Sequence, residues 1–209
     1  MIKLMKEQVR ELLLKGDFQA LQELYRRRRG VLRVLLSLTY DKTTLSTWRA
    51  IEAVGRLAQL MGPLEARQAA ERLLWMMREE SGGNPWSGPE LLGEIIRARA
   101  GELQDLLPVL ASFHEEPIFT EGVLWALGRV AQVAPGLVAP FEPLARMYLA
   151  SPQAALRGRA LLLLRTLGKG AQGPLHCPKE QFVIYHEGAL RVLTVEEAAR
   201  GFDNPSPGA

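Results

Sequence analysis

The chain has 209 residues, of which 47% are hydrophobic and 23% are charged. This composition supports a hydrophobic core in one domain or two small ones and excludes disorder throughout the chain. No apolar run approaches the roughly 20 residues of a membrane helix, and the single cysteine, Cys177, cannot form an internal disulfide. The sequence therefore predicts a cytoplasmic protein with no membrane segment.

Positive charge is concentrated at the N-terminus. Residues 1–33 carry a net charge of +5, and because the whole chain carries +3, residues 34–209 sum to −2. Proteins that bind nucleic acid usually spread Lys and Arg along the surface that follows the phosphates. This distribution disfavours nucleic acid as a partner.

The first segment, residues 1–44, is predicted to be a helical N-terminal cap. Two helices are expected before residue 30, divided at Gly16 and Asp17, where Asp17 is a suitable N-cap. The run Arg26–Arg29 cannot share one helix face, because successive residues turn by about 100°. We interpret these arginines as cations at a helix C-terminus, where the helix dipole favours positive charge.

Internal repeats organise residues 45–168. Gly55–Gln59 matches Gly128–Gln132 at an offset of 73 residues, and Leu91–Ile96 is a similar segment about halfway between them. Each unit of 36 to 37 residues predicts a pair of helices, and the small residues Gly55, Gly93 and Gly128 predict close approach between helices. The helices are expected over approximately residues 48–61, 64–80, 103–113, 120–134, 137–150 and 151–168. A further helix is expected to start at Ser87, where Ser87–Glu90 has the pattern of a capping box.

These segments resemble HEAT-type repeats. The resemblance is carried by Trp48–Gln59, Pro89–Ile96 and Gly122–Gln132, each followed by a second helix. Glu80–Glu90, taken with Gly122–Arg129, resembles more narrowly a small family of HEAT-repeat proteins from sulfate-reducing-type bacteria. The resemblance implies an all-α, HEAT-like α-solenoid and brings no established activity with it.

The C-terminal part departs from the helical pattern. Residues 169–180 are rich in Gly and Pro and predict a linker. Residues 181–202 predict a β-hairpin that turns at Glu187 and Gly188, followed by a short helix capped at Thr194. Residues 203–209 are expected to form a flexible tail.

Sequence motifs for catalysis are absent. The three histidines have no metal-ligand spacing, and the chain contains neither a phosphate-binding Gly-rich loop nor a nucleophile elbow. The sequence therefore predicts no catalytic residue, no metal site and no cofactor.

The segment Glu79–Glu90 is the most unusual connector, because it combines Gly82 and Gly83 with Trp86. Trp86 is interpreted either as a partner contact or as a plug between neighbouring helix pairs. Its acidic neighbours favour a basic partner segment, and the end of the next pair is expected on the same edge. The candidate partner-binding residues are Glu80, Trp86, Glu90, Glu94, His114 and Glu116.

Two functions follow from these expectations. The first is a non-enzymatic protein- or peptide-binding scaffold that uses the concave face and the inter-repeat loops of a solenoid. The alternative is a HEAT-like DNA glycosylase acting on alkylated bases, because such enzymes use aromatic residues and a carboxylate. Two pairs at helical spacing are candidates for that role, Trp75 with Glu79 and Trp125 with Glu121.

Overall fold

The computed structural model describes residues 2–79 and 86–201. Of these described residues, 69% are helical, and a two-stranded antiparallel sheet and a final helix follow the long helices. These features confirm a mostly helical protein with a C-terminal hairpin and helix.

Three helices form the N-terminal segment: α1 (Ile2–Lys15), α2 (Phe18–Arg27) and α3 (Val31–Leu36). The predicted break after α1 is confirmed, because the Asp17 carboxylate accepts a hydrogen bond from the Ala20 amide at 2.9 Å. Arg26 and Arg27 lie in the last turn of α2, as expected. Helix α3 was not predicted.

Four long helices pack in chain order, each against the next, and we call them the helix row. Gly93 lets α6 (Gly88–Ala98) and α9 (Thr120–Ala131) approach closely, since a Cβ added there would lie 2.4 Å from the Ala126 Cβ. Helix α5 (Pro63–Arg78) packs beside α6. The helix row consists of α4 (Leu45–Ala58), α6 (Gly88–Ala98), α9 (Thr120–Ala131) and α12 (Ala154–Thr166).

The helices between α6 and α9, and between α9 and α12, are short, and the continuous helices predicted there are wrong. Each short helix is followed by a 3₁₀ turn, and three of the four begin with a proline in the first turn, where its missing amide donor costs least. Pro108, Pro135 and Pro143 occupy such positions. The short helices are α7 (Ala100–Leu103), α8 (Leu107–Ser112), α10 (Pro135–Val138) and α11 (Glu142–Met147).

The predicted capping box before α6 is also wrong. Ser87 is buried, and its hydroxyl donates to the Thr39 carbonyl at 2.6 Å instead of capping the helix. This contact joins the loop after α3 to the start of α6.

The C-terminal hairpin has the predicted turn. Strands β1 (Gln181–His186) and β2 (Ala189–Thr194) pair antiparallel, with His186 opposite Ala189. Glu187 and Gly188 both have positive φ, 47° and 78°, as a tight two-residue hairpin turn requires. Helix α13 (Val195–Arg200) follows, and Thr194 and Glu197 form its capping box.

One part of the hairpin packs on α12 and α13, where Phe182, Ile184 and Leu193 are buried with Leu161 and Val195. Tyr185 instead joins the main core of the helices. The hairpin is therefore fixed against the helix row from two directions.

Candidate functional site

Two glutamates of the predicted acidic edge are buried and do not reach the surface. Glu90 and Glu94 are each only 1% exposed, so the expectation that they face a basic partner is wrong. Trp86 is 56% exposed, which does not fit the interpretation as a plug. Glu80 lies outside the described residues.

Glu94 is buried in an ion pair within the helix row. Its Oε1 accepts a hydrogen bond from Arg129 Nε at 2.5 Å, and Arg97 lies 3.5 Å from its Oε2. A Cβ at Gly55 would lie 2.5 Å from the same Oε2. Gly55 on α4 therefore provides space for this carboxylate, and the ion pair with Arg129 joins α6 to α9.

Glu90 is buried in the same row with a weaker set of partners. Lys42 Nζ lies 3.0 Å from its Oε1, and its Oε2 accepts no hydrogen bond from the described residues. Gly122 leaves the space for this carboxyl group, since a Cβ there would lie 2.6 Å from Oε2. Burial raises the pKa of Glu90, and the charge of Lys42 opposes that rise.

Three aromatic rings join the helix row to the hairpin. The Trp48 and Trp125 ring centroids are 5.3 Å apart, and Tyr185 stacks on Trp48 with its centroid at 5.8 Å. The Tyr185 hydroxyl donates a hydrogen bond to Glu52 on α4. Burial and this hydrogen bond both raise the pKa of Tyr185.

Arginines of the row also bind the hairpin backbone. Arg159 Nη2 donates to the Val183 carbonyl at 2.9 Å, and Arg49 Nε donates to the Gly188 carbonyl at 3.1 Å. One face of the helix row is consequently covered by the chain's own C-terminal segment, and a partner cannot use the covered part.

A cavity of about 570 Å³ remains where the first turns of the four row helices meet β1. Glu90, Glu121 and Trp48 line it together with Lys42 and Arg159. Glu121 is 42% exposed and lies 3.2 Å from Arg159 Nη2. Two carboxyl groups in unlike environments are the usual arrangement for a general acid and a general base.

The aromatic–carboxylate pairs from the sequence are divided by the fold. Glu121 lines this cavity, whereas its helix neighbour Trp125 is 7% exposed and packs against Trp48. Trp75 is 61% exposed on α5 and does not line the cavity. Trp48 was missed as a cavity residue because helical periodicity places it in the core, and Glu90 was predicted only as a residue of the acidic edge.

His114 lies in the 3₁₀ turn before α9, and Glu116 directly follows that turn. His114 Nδ1 lies 2.9 Å from the Tyr148 hydroxyl, and the His114 carbonyl accepts a hydrogen bond from the Thr120 hydroxyl. In the described part of the chain, no hydrogen bond or ion pair joins His114 or Glu116 to Trp86.

A second concave surface lies between α3 and α5, and we call it the α3–α5 groove. Its volume is about 500 Å³, and α6 forms its floor. This groove was not predicted from the sequence, although Leu32 and Leu36 are four residues apart, as are Arg29 and Arg33. The apolar lining includes Leu32, Leu36, Ala69, Leu73, Leu91 and Ile95, and the polar lining includes Arg29, Arg33, Ser37, Tyr40 and Arg72.

No cluster of His, Cys, Asp and Glu suited to a metal ion occurs within residues 2–79 and 86–201. In that same part of the chain, no helix has the length and apolar character needed to cross a bilayer. Comparisons with protein-family models, curated proteins and solved structures found no match to this chain.

Proposed function

We propose that this chain is a non-enzymatic protein- or peptide-binding module and that the α3–α5 groove is its binding surface. The observation that carries the proposal is an open groove with an apolar floor, next to a helix row whose other face is partly covered by the hairpin. The resemblance to HEAT repeats supports the same class, because repeat proteins bind partners along extended surfaces.

The groove has the chemistry of a helix-binding site. Its two walls, α3 and α5, present residues at helical spacing, and Leu91 and Ile95 of α6 close the bottom. An apolar side chain transferred from water into such a groove contributes about 1.5–3 kcal/mol when fully buried. A few such contacts are sufficient for a specific, reversible complex.

Capture of a partner with matched variants tests this proposal. Ala69 lines the groove, whereas Leu64 on the same helix is 70% exposed and does not. We expect Ala69→Trp to fill the groove and abolish capture of a partner from native lysate, and Leu64→Trp to retain it. Circular dichroism confirms folding of both variants. Equal capture by the two variants would contradict binding in the groove.

A second candidate function is supported by the cavity at the first turns of the row. Glu121 and the buried Glu90 flank Trp48 there, and paired carboxyl groups beside an aromatic ring suit cleavage of a glycosidic bond. This arrangement favours the glycosylase alternative.

Incubation with alkylated duplex DNA tests the second candidate. Release of a methylated base that is lost in Glu121→Gln and kept in Glu116→Gln would establish a glycosylase and overturn the non-enzymatic proposal. Glu116 is exposed and does not line the cavity, so it provides a control of equal charge change.

A further inference from the structure

The rim of the α3–α5 groove carries arginines whose charge is not neutralised within the chain. The guanidinium groups of Arg33 and Arg72 make no hydrogen bond or ion pair with any residue that the structure describes. Arg29 lies over the Tyr25 ring, 4.5 Å from its centroid, and its Nη1 is 3.6 Å from the half-exposed Glu65. The rim is thus basic on both walls.

Several other arginines of the helices have acidic partners. Arg67 on α5 binds Asp105 through both Nη atoms, at 3.0 and 2.7 Å, and Arg146 binds Glu142. Among the described residues that line the groove, none is acidic. The groove therefore lacks the carboxylates that neutralise these other arginines.

The floor and walls restrict the shape of the occupant. The backbone groups of α3 and α5 are engaged within their own helices, so neither wall offers the free strand edge that strand addition requires. Leu32 with Leu36 on one wall and Ala69 with Leu73 on the other repeat at four-residue spacing. Such walls suit the ridge of apolar side chains on a third helix.

We propose that the groove binds an acidic amphipathic helix of a partner protein. The inference rests on the proposed function and adds the chemistry of the partner. Apolar residues at i, i+4 and i+7 of that helix pack on the partly exposed Leu32, Leu36 and Ala69, and carboxylates on its flanks pair with Arg33 and Arg72. Arginine suits this role because its guanidinium binds a carboxylate through two hydrogen bonds.

Fluorescence anisotropy with designed peptides tests the proposal. The probe is a fluorescein-labelled amphipathic peptide of about 16 residues, long enough to be partly helical when free, with Leu on one face and Glu on both flanks. A second peptide has Lys in place of every Glu, and a third keeps Glu but replaces Leu with Ser. We expect the acidic Leu peptide to bind at least about tenfold more tightly than either of the others.

Charge reversal in the protein distinguishes contacts in the groove from nonspecific electrostatic attraction between protein and peptide. The double variant with Arg33→Glu and Arg72→Glu should bind the acidic peptide at least about tenfold more weakly and should bind the basic peptide more tightly. The matched control is Arg10→Glu with Lys179→Glu, which changes the net charge equally at exposed residues outside the groove. This control should retain the preference for the acidic peptide.

The remaining outcomes distinguish the two proposals. Tighter binding of the basic peptide, abolished by Ala69→Trp, would leave groove binding intact and overturn the acidic partner. Binding of none of the peptides would overturn both. Arginine-dependent sedimentation with phosphatidylglycerol vesicles, without peptide binding, would assign the groove to an anionic lipid surface and also overturn both.

Discussion

The carboxylate of Glu94 lies in the space that a side chain at Gly55 would need. A Cβ built at Gly55 meets Glu94 Oε2 at 2.5 Å and the Glu94 carbonyl oxygen at 3.2 Å. The glycine on α4 and the acid on α6 are therefore a matched pair, and neither can change size alone.

Gly55→Ala tests this pair. Although alanine favours a helix by up to about 1 kcal/mol over glycine, the added methyl group forces the buried ion pair to move, so we expect a net loss of about 1–3 kcal/mol. Gly128→Ala on α9 is the control, because nothing lies within 4 Å of its added Cβ. It should be neutral or stabilising by up to about 1 kcal/mol in urea unfolding.

Glu90→Gln should change how stability depends on pH. Because burial raises the pKa of Glu90 above its ordinary value of 4.5, the folded chain binds the proton more tightly than the unfolded chain. The stability from this group is complete below about pH 4.5 and is lost as the pH rises through the folded pKa. The glutamine variant should therefore gain thermal stability relative to the natural chain as the pH rises from 4.5 to 8.

The control for this pH experiment is Glu71→Gln, whose side chain is 56% exposed. It should show a difference from the natural chain that varies little with pH. A Glu90→Gln difference that is equally constant would mean that the buried carboxyl group does not titrate abnormally.

Tyr185→Ala should loosen the hairpin from the helix row. The ring is 8% exposed, stacks on Trp48 and donates to Glu52, so its removal should cost about 3–5 kcal/mol. Val183→Ala, two residues earlier on β1 and 50% exposed, should change stability by less than about 0.5 kcal/mol. Hydrogen exchange over residues 181–194 should accelerate in the tyrosine variant alone.

Trp86→Ala should leave stability nearly unchanged. Its ring is 56% exposed, whereas Trp48 is 6% exposed. Thermal unfolding should show a loss below about 1 kcal/mol for Trp86→Ala and a loss of about 3–5 kcal/mol for Trp48→Ala. A loss of the larger size at Trp86 would restore the interpretation as a plug.

Capping and turn residues in the sequence correctly predicted several ends of helices and strands. The Asp17 cap, the capping box at Thr194 and the turn at Glu187 and Gly188 depend on residues within a few positions of one another. Ser87 carried the same kind of signal and gave a wrong prediction, because its hydroxyl bonds to a carbonyl 48 residues away. Tertiary contacts override a local cap when the capping residue is buried.

The candidate site was harder to predict from the sequence, again because tertiary contacts determine it. Glu90 and Glu94 belong to residue types that are almost never fully buried unless paired. Their partners are distant in sequence, since Lys42 lies in the loop before α4 and Arg129 lies on α9. The acidic residues of Glu79–Glu90 and Glu94 therefore predicted an exposed acidic edge, whereas the fold buries Glu90 and Glu94. The α3–α5 groove arises from three helices distant in sequence, and no single motif marks it.

The hairpin has a consequence for how the molecule melts. In an ordinary row of helix pairs each unit touches its neighbours, so such arrays can unfold piecewise from an end. Here Tyr185 bonds to Glu52 across 133 residues and Arg49 to Gly188 across 139. The hairpin is thereby tied to the first helix of the row as well as to α12. We therefore expect the two ends of the row to unfold together, because separating them breaks contacts that close a long loop of the chain.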